Sequence, residues 1–289
     1  MKEEMDERPE GKQSKNERIE SFLREHYDFR FNTVKSRTEF RGSNKDEPFY
    51  PLGKFDINSM RRLLDSSQGI STSAENIRAI LESDFYPRIN PVQEYFQKLS
   101  KWNEGEDSEI IHLASCVTVR NPEKWQTYLT KWLIAVVANA MDDLFCRNHT
   151  CLVLTGEQGK FKTTFLDLLC SVELKAYLFT GTIDPQNKDT QTLIAEYLFI
   201  NIDDQLKALN KRDENELKNL ITTPRVKYRR PYDTYIEEYP HLASFMASVN
   251  GNDFLTDPTG SRRFLPFEVE AIDIEAAKQV DINKLYSEA

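Results

Sequence analysis

One segment restricts the possible fold more than any other: a short apolar run, a glycine-rich turn and a second apolar run, all between Cys151 and Cys170. The first run, up to Leu154, predicts a buried strand, and the second, from Phe165, predicts a helix. A strand, a glycine-rich turn and a helix form the arrangement in which backbone amides and a helix N-terminus surround a phosphate. We therefore expect an α/β domain with a central, mainly parallel sheet.

The turn itself supplies the groups that a nucleotide triphosphate requires. Gly156 and Gly159 give the backbone its freedom, Lys162 provides a cation for the β- and γ-phosphates, and Thr163 provides a hydroxyl for magnesium. ATP and Mg²⁺ are the cofactors that this pattern predicts. The predicted nucleotide contacts are Gly156, Glu157, Gln158, Gly159, Lys160, Phe161, Lys162, Thr163 and Thr164.

One position departs from the phosphate-loop pattern G-x-x-x-x-G-K-[ST], because Phe161 stands where glycine usually precedes the lysine. Its side chain must point away from the phosphate, and the freedom of glycine to adopt positive φ is lost. The other register, Gly159-Lys160, would put Phe161 in place of the hydroxyl and is rejected. An ordinary strand-turn-helix with surface lysines is the alternative interpretation of the segment.

A second strand ends in two carboxylates. Tyr197 to Ile202 is a nearly continuous apolar run typical of a buried parallel strand, and Asp203 and Asp204 follow it. Open α/β sheets bind ligands at such strand ends. Asp203, together with Thr163, is the predicted magnesium site, and Asp204 can orient an attacking water. An acidic pair after a strand is common, so the interpretation depends on the preceding loop.

Two further motifs follow. The apolar segment SFMASVN ends in Asn250, which can bond the γ-phosphate or the attacking water, although Asn250-Gly251 is equally a turn signal. Arg262 and Arg263 come after a polar turn from Asp257. Their guanidinium groups suit a developing phosphoryl charge, in the same chain or in a neighbouring subunit. A surface arginine pair is the alternative.

A basic segment lies between the second and third strands. The whole chain has a net charge of -9, so contact with nucleic acid requires a local patch. Tyr228 and Tyr232 accompany the basic residues, and aromatic rings can stack on bases of a single strand. A solvated loop, or contact with a neighbouring subunit's nucleotide, remains open. The predicted nucleic-acid contacts are Arg225, Lys227, Arg229 and Arg230.

The chain is expected to have two regions. Residues 1–115 predict a mostly helical N-terminal region, mobile as far as about Glu17 because the first residues are charged and poor in apolar side chains. Residues 116–289 predict the nucleotide-binding domain, which includes a long apolar-faced helix from Pro122 to Met141.

Composition favours a cytoplasmic protein without membrane segments. The N-terminus is too charged for a signal peptide. The longest apolar run, Trp132 to Ala138, is far shorter than the ~20 residues of a membrane span. The four cysteines form no CxxC pairs, which favours a reducing compartment. A zinc site at Cys146, His149 and Cys151 lacks a fourth ligand and is not expected.

Together these motifs resemble the virulence-associated protein E (VirE/VapE-like) family of mobile elements and prophages, whose members look like relatives of superfamily-three helicases and primase-helicases. The resemblance covers about Asn90 to Ala289. The segment SVNGNDFLTDPTGSRRF is its most specific part. The other matching segments are NPVQEYFQKLSKW, GEQGKFKTT, LFINIDDQ, ELKNLI, YRRPYD and DINKLYSEA.

The resemblance implies an AAA+-like P-loop ATPase, a motor or DNA helicase that acts on single-stranded or forked DNA during mobile-element or prophage replication. It implies Lys162 and Thr163 as phosphate and magnesium residues, Asn250 as a sensor, and Arg262 or Arg263 as an arginine finger. A finger acting in trans implies a homo-oligomer, in the form of a hexameric ring. Asp204 stands where many relatives have glutamate, and relatives carry a further C-terminal region after the segment DINKLYSEA.

Two rival functions remain. The first is a non-catalytic nucleic-acid-binding or interference protein with a degenerate loop at Phe161. The second is a small-molecule P-loop kinase, against which Asn250 and the arginine pair argue, since they suit an oligomeric motor.

Overall fold

The computed structural model describes residues 13–44, 47–103, 105–187, 189–230, 234–251 and 261–289. The chain divides into two compact units, Met1–Pro91 and Val92–Ala289.

The first unit combines three helices with a four-stranded sheet of order β3-β2-β1-β4. Strands β1, β2 and β3 pair antiparallel, and β4 is parallel to β1. One face of the sheet and the helices enclose an apolar core that includes Leu23, Phe29 and Leu64. The elements are α1 Lys15–His26, β1 Tyr27–Asn32, β2 Arg37–Gly42, β3 Tyr50–Pro51, α2 Lys54–Gln68, α3 Ala74–Leu81 and β4 Arg88–Ile89.

The mobile segment was expected to reach about Glu17; within the described residues, Ser14 and Glu17 form a capping box and α1 starts at Lys15. The N-terminal region was expected to be mostly helical, and its described residues also form this four-stranded sheet. Ser73 is the N-cap of α3, as its position before an apolar-periodic segment suggests. Residues 1–12 lie outside the described part of the chain.

The second unit is α/β. Its helices and strands are α4 Pro91–Lys98, α5 Glu109–Ser115, β5 Val117–Val119, α6 Pro122–Ala140, β6 Cys151–Gly156, α7 Lys162–Leu168, β7 Leu178–Gly181, α8 Asp189–Glu196, β8 Phe199–Asp203, α9 Lys211–Thr222, β9 Arg225–Tyr228, β10 Glu237–Pro240, β11 Ser244–Asn250, β12 Phe264–Ile272, α10 Ile274–Ala277 and α11 Ile282–Glu288. Three 3-10 helices cover Val172–Tyr177, Leu206–Ala208 and Ser261–Arg263.

The central sheet has the order β5-β12-β6-β11-β8-β7. Five neighbouring strands are parallel and β5 is antiparallel at one edge, which confirms the mainly parallel sheet. Strands β6 and β11 are buried almost throughout, as in sheets covered on both faces. Because Asn250 pairs with Gly156 and Ser248 pairs with Asp203, the carboxyl ends of β6, β11 and β8 meet at one edge.

Helix α6 confirms the long amphipathic helix of the sequence. Asn121 caps its N-terminus, and Pro122 occupies the first turn, where a missing amide hydrogen costs nothing. Its buried face carries Trp125, Leu129 and Trp132 at helical spacing.

The boundary between the units falls at Pro91/Val92 and not near residue 115. Helices α4 and α5 belong to the second unit because they pack on its C-terminal helix. The Phe96 and Tyr286 rings lie 5.5 Å apart, and the Ile110 amide donates to Glu288 at 3.1 Å. Ser108, the N-cap of α5, also bonds Glu288. The acidic segment before Ser108 lies between α4 and α5, two helices of the same unit.

Among the described residues, no helix is both long and apolar enough to cross a membrane. The four cysteines are buried free thiols. Within the same residues no three His, Cys, Asp or Glu side chains form a cluster that could hold a metal ion.

Candidate functional site at the carboxyl edge of the sheet

The glycine-rich turn follows β6 directly. Gly156 has φ of 132°, and a Cβ there would lie 2.7 Å from the Val269 carbonyl oxygen, so the close approach requires glycine. Phe161 precedes α7 with φ of 58°, the left-handed conformation that glycine adopts readily. The residue is 54% exposed. The ring points outward as expected, while the backbone keeps the positive φ that we expected phenylalanine to forfeit.

The amides at the start of α7 are available to a ligand. The first amides of a helix have no acceptor within that helix. Those of Lys162, Thr163 and Thr164 donate no hydrogen bond within the described residues. Elsewhere in the turn, Lys160 and Glu157 form a loose ion pair at 3.7 Å. Gln158 is exposed.

Lys162 is buried at the centre of the site. Its Nζ donates to the Gly156 carbonyl at 3.1 Å, to the Glu157 carbonyl at 2.6 Å and to Asn250 Oδ1 at 3.2 Å. Burial lowers the pKa of Lys162, while the nearby Asp204 and Asp203 act in the opposite direction. The acceptors of the ammonium group among the described residues are all neutral oxygens.

Three oxygens form a triangle beside the lysine. Thr163 Oγ1 donates to Asp203 Oδ1 at 2.8 Å, and Ser248 Oγ donates to the same oxygen at 2.7 Å. The two hydroxyl oxygens are 2.9 Å apart. Thr163 and Asp203, which the sequence assigned to magnesium, are thus neighbours, and Ser248 of the strand between them completes the group.

Asp204 and Asn250 are joined in a second group. The Asn250 amide donates to Asp204 Oδ1 at 3.0 Å, and its side-chain nitrogen donates to Asp204 Oδ2 at 2.9 Å. Asp204 has φ of 47°, a strained value for a residue other than glycine. Because Asn250 also accepts from Lys162, a continuous chain of hydrogen bonds links the lysine to the exposed Asp204.

Sequence reasoning missed two polar residues of the interior. Ser248 lies in an apolar strand and gives no signal of its own. Asn201 interrupts the apolar run of β8, and its side-chain nitrogen donates to Asp167 of α7 at 2.7 Å and to the Thr163 carbonyl at 3.4 Å. This asparagine ties α7 to β8, so the interruption was a usable signal.

Arg262 and Arg263 lie away from this group. They form the 3-10 helix before β12, and β12 begins where Phe264 pairs with Cys151, the first residue of β6. The length of β6, about 17 Å at ~3.3 Å per residue, separates them from the turn. The arginines therefore lie near the amino ends of the parallel strands, whereas Lys162 lies at their carboxyl ends. The polar turn from Asp257 to Gly260 is outside the described residues.

The basic segment forms a hairpin of β9 and β10. Arg230 is buried, with its guanidinium 4.1 Å from the Tyr239 ring centroid and 3.6 Å from Glu196. Tyr228 is also buried. Burial corrects the expectation for Arg230 as a surface contact, while Tyr228 keeps a small exposed area at the cavity that Lys227 and Arg229 also line. Arg225 pairs with Glu238 at 3.2 Å and is partly buried.

Lys227 and Arg229 are exposed on this hairpin. Lys227 is 3.6 Å from Glu238 and keeps 70% of its side chain exposed. With Thr192 of α8, both line a cavity of about 640 Å³. Arg229 thus remains the best-placed of the four basic residues to meet a ligand. Tyr232 falls outside the described residues.

The residues of the carboxyl edge fit a nucleotide and a divalent cation. The helix-start amides without acceptors and the Lys162 ammonium offer donors to phosphate oxygens. The Thr163 hydroxyl and the Asp203 carboxylate are the oxygen ligands that Mg²⁺ prefers, alongside substrate phosphates.

The second unit is thus an α/β protein whose polar side chains converge at the carboxyl ends of parallel strands, where such sheets bind ligands. The chain belongs to the family of virulence-associated protein E-like domains, whose model matches residues 96–289. The match begins inside α4, close to the start of the second unit.

Solved structures of NrS-1 share the fold. The apo structure of the NrS-1 C-terminal region (305–718) is similar at a TM-score of 0.57 and 13% identity, covering 96% of this chain and 72% of that chain. An A-form apo structure of the same region gives 0.56 and 14%, over 93% and 67%. Among curated proteins, none matches the chain significantly in sequence.

Proposed function

We propose that the second unit binds ATP with Mg²⁺ and hydrolyses it, and that this activity drives movement along DNA, or its remodelling, during replication of a mobile element. The observation that carries the proposal is the convergence of Lys162, Thr163, Asp203, Asp204 and Asn250 in two hydrogen-bonded groups at the carboxyl ends of the strands. The family membership supports the biological setting.

Each residue has a role that follows from its position. The turn amides and Lys162 hold the β- and γ-phosphates, and Thr163 and Asp203 hold Mg²⁺. The cation neutralises charge on the phosphates. Asp204, exposed to solvent, orients a water whose oxygen bonds to the γ-phosphorus as the bond to the bridging oxygen breaks. ADP leaves, and Asp204 passes the water proton to solvent.

Phosphate binding also changes the second hydrogen-bonded group. A γ-phosphate oxygen that accepts from Lys162 competes with Asn250 Oδ1, which lies 3.2 Å from the ammonium. Asn250 can then turn its side chain towards the phosphate, and its bond to Asp204 changes with it. The asparagine therefore reports the presence of the γ-phosphate to the residue that orients water.

The arginine pair supports an oligomer. Arg262 and Arg263 are at the edge of the sheet opposite the turn, so a single chain does not bring them to its own phosphates. Contact with a developing phosphoryl charge requires the turn of a second copy, and a head-to-tail arrangement that closes gives a ring.

Strand β11 supports a link between nucleotide and DNA. Its first residue, Ser244, follows the β9–β10 hairpin closely, and its last residue is Asn250. A change at Asn250 is therefore carried along one buried strand towards the surface that holds Arg229.

The decisive experiment compares ATP hydrolysis by wild type, Lys162→Ala and the control Lys278→Ala with and without single-stranded DNA. Lys278 is exposed and pairs with Glu275, outside the site. We expect Lys162→Ala to abolish hydrolysis, at least 100-fold, because one charge-stabilising donor contributes about that factor. Equal background rates in all three would favour the non-catalytic nucleic-acid-binding protein. Hydrolysis unaffected by DNA would favour a kinase or another ATPase.

A further inference from the structure

Ser248 occupies the one strand that separates the turn strand from the acidic strand. In β11 it pairs with Leu154 of β6 on one side and with Asp203 of β8 on the other. Its side chain is buried. Its hydroxyl touches both predicted magnesium residues, Asp203 Oδ1 at 2.7 Å and Thr163 Oγ1 at 2.9 Å.

The two hydroxyl protons of Thr163 and Ser248 determine which oxygens of this group donate and which accept hydrogen bonds. Two hydroxyls supply two protons, and Asp203 Oδ1 accepts from both. Within the described residues, Asp203 Oδ2 accepts no hydrogen bond. With Oδ1 held from two sides, the carboxylate keeps one orientation and Oδ2 is left for a cation or its water. Thr163, whose proton goes to Oδ1, keeps its oxygen lone pairs for a cation.

Another serine on the same strand shows that a buried hydroxyl in β11 is not enough. Ser244 is also buried, but its Oγ accepts from the Asn148 side chain and joins a loop to the sheet. Ser248 differs because both of its partners are the residues that hold the metal.

We propose that Ser248 is a positioning residue for the divalent cation: by fixing Asp203 and Thr163 it raises the affinity of the site for the metal, not for the nucleotide. The inference rests on the proposed ATP site. Groups that orient metal ligands change metal affinity by about 10–100-fold when they are removed.

The test uses the full chain with Ser248→Ala, Ser248→Thr and the control Ser244→Ala. Electron paramagnetic resonance of free Mn²⁺ measures metal affinity in the presence of a non-hydrolysable ATP analogue, and a fluorescent nucleotide in EDTA measures metal-free binding. For Ser248→Ala we expect Mn²⁺ affinity to fall at least about 10-fold with metal-free nucleotide binding unchanged. Ser248→Thr, which keeps the hydroxyl and suits a strand, restores it.

The outcomes separate the two proposals. Wild-type Mn²⁺ affinity in Ser248→Ala, or an equal loss in Ser244→Ala, would overturn the role of Ser248 while leaving the ATP site intact. Loss in Ser248→Thr equal to that in Ser248→Ala would show that packing and not the hydroxyl matters, and would also overturn it. A wild-type chain that binds neither nucleotide nor Mn²⁺ would instead refute the ATP site itself.

Discussion

At the scale of single residues, Phe161 combines two opposing properties. Its φ of 58° is costly for any residue with a Cβ, and its exposed ring recovers little of that cost by burial. Strain of this kind persists where the surroundings fix the backbone, and it concentrates at functional sites. The backbone at residue 161 therefore has a conformation typical of glycine although the residue is phenylalanine.

We predict that Phe161→Gly is more stable than Phe161→Ala by about 1 kcal/mol, because both lose the ring but only glycine relieves the positive φ. Urea unfolding followed by tryptophan fluorescence measures the difference. The three tryptophans, Trp102, Trp125 and Trp132, all belong to the second unit, so the signal reports that unit alone. Equal stabilities, or a more stable alanine variant, would show that Phe161 is not strained.

Residue types and strand ends were enough to predict which functional groups meet. Lys162, Thr163, Asp203 and Asn250 each follow a strand or a turn, and parallel strands bring their carboxyl ends together. Hydroxyl and amide side chains within strands were not predictable in the same way. Ser248 acts through its contacts with Thr163 and Asp203. A single sequence does not give the strand order that brings these residues together.

At the scale of elements, the β9–β10 hairpin divides its basic residues between two tasks. The Arg230 guanidinium packs on the Tyr239 ring and pairs with Glu196, whereas Arg229 is exposed to solvent. The sequence shows four basic residues within six positions, from Arg225 to Arg230. Without the pairing to β10 it does not show which of them points inward.

We predict that the two adjacent arginines affect different quantities: Arg229 affects DNA binding and Arg230 affects stability. Arg229→Ala weakens binding to single-stranded DNA and reduces the slope of log K against log salt by about 0.7, one phosphate contact. Arg230→Ala costs roughly 1–3 kcal/mol of stability, since it removes a buried guanidinium that lies 3.6 Å from Glu196 and 4.1 Å from the Tyr239 ring centroid. Fluorescence anisotropy over a salt series and urea unfolding measure the two quantities.

Arg120→Ala is the matched control for this pair, because Arg120 is exposed next to β5 at one border of the sheet, away from the hairpin. Unchanged DNA affinity and salt slope in Arg229→Ala would remove the hairpin from the proposed DNA path. An Arg230→Ala variant of wild-type stability would contradict the structural role of its guanidinium.

At the scale of the whole molecule, the N-terminal and C-terminal segments of the second unit pack against each other. Its first helices and its last helix are in contact, through Phe96 with Tyr286 and through Ile110 with Glu288. The Trp125 indole nitrogen also donates to the Ala114 carbonyl at 3.0 Å. The contacts of Phe96 and Ile110 join residues far apart in sequence, so local composition did not reveal them and the expected boundary fell too late.

The closing contacts predict where the chain can be cut. A fragment of residues 92–289 should unfold cooperatively, whereas 116–289 should lack a stable fold although it keeps every strand of the central sheet. The buried apolar side chains that the shorter fragment loses include the four large ones of Val92, Phe96, Ile110 and Leu113. At about 1.5–3 kcal/mol each, their burial is comparable with the whole stability of a domain, about 5–15 kcal/mol. Circular dichroism during thermal unfolding compares the two. A cooperative transition in 116–289 at the temperature of the longer fragment would mean that α4 and α5 are dispensable, and that the unit begins where its sequence first suggested.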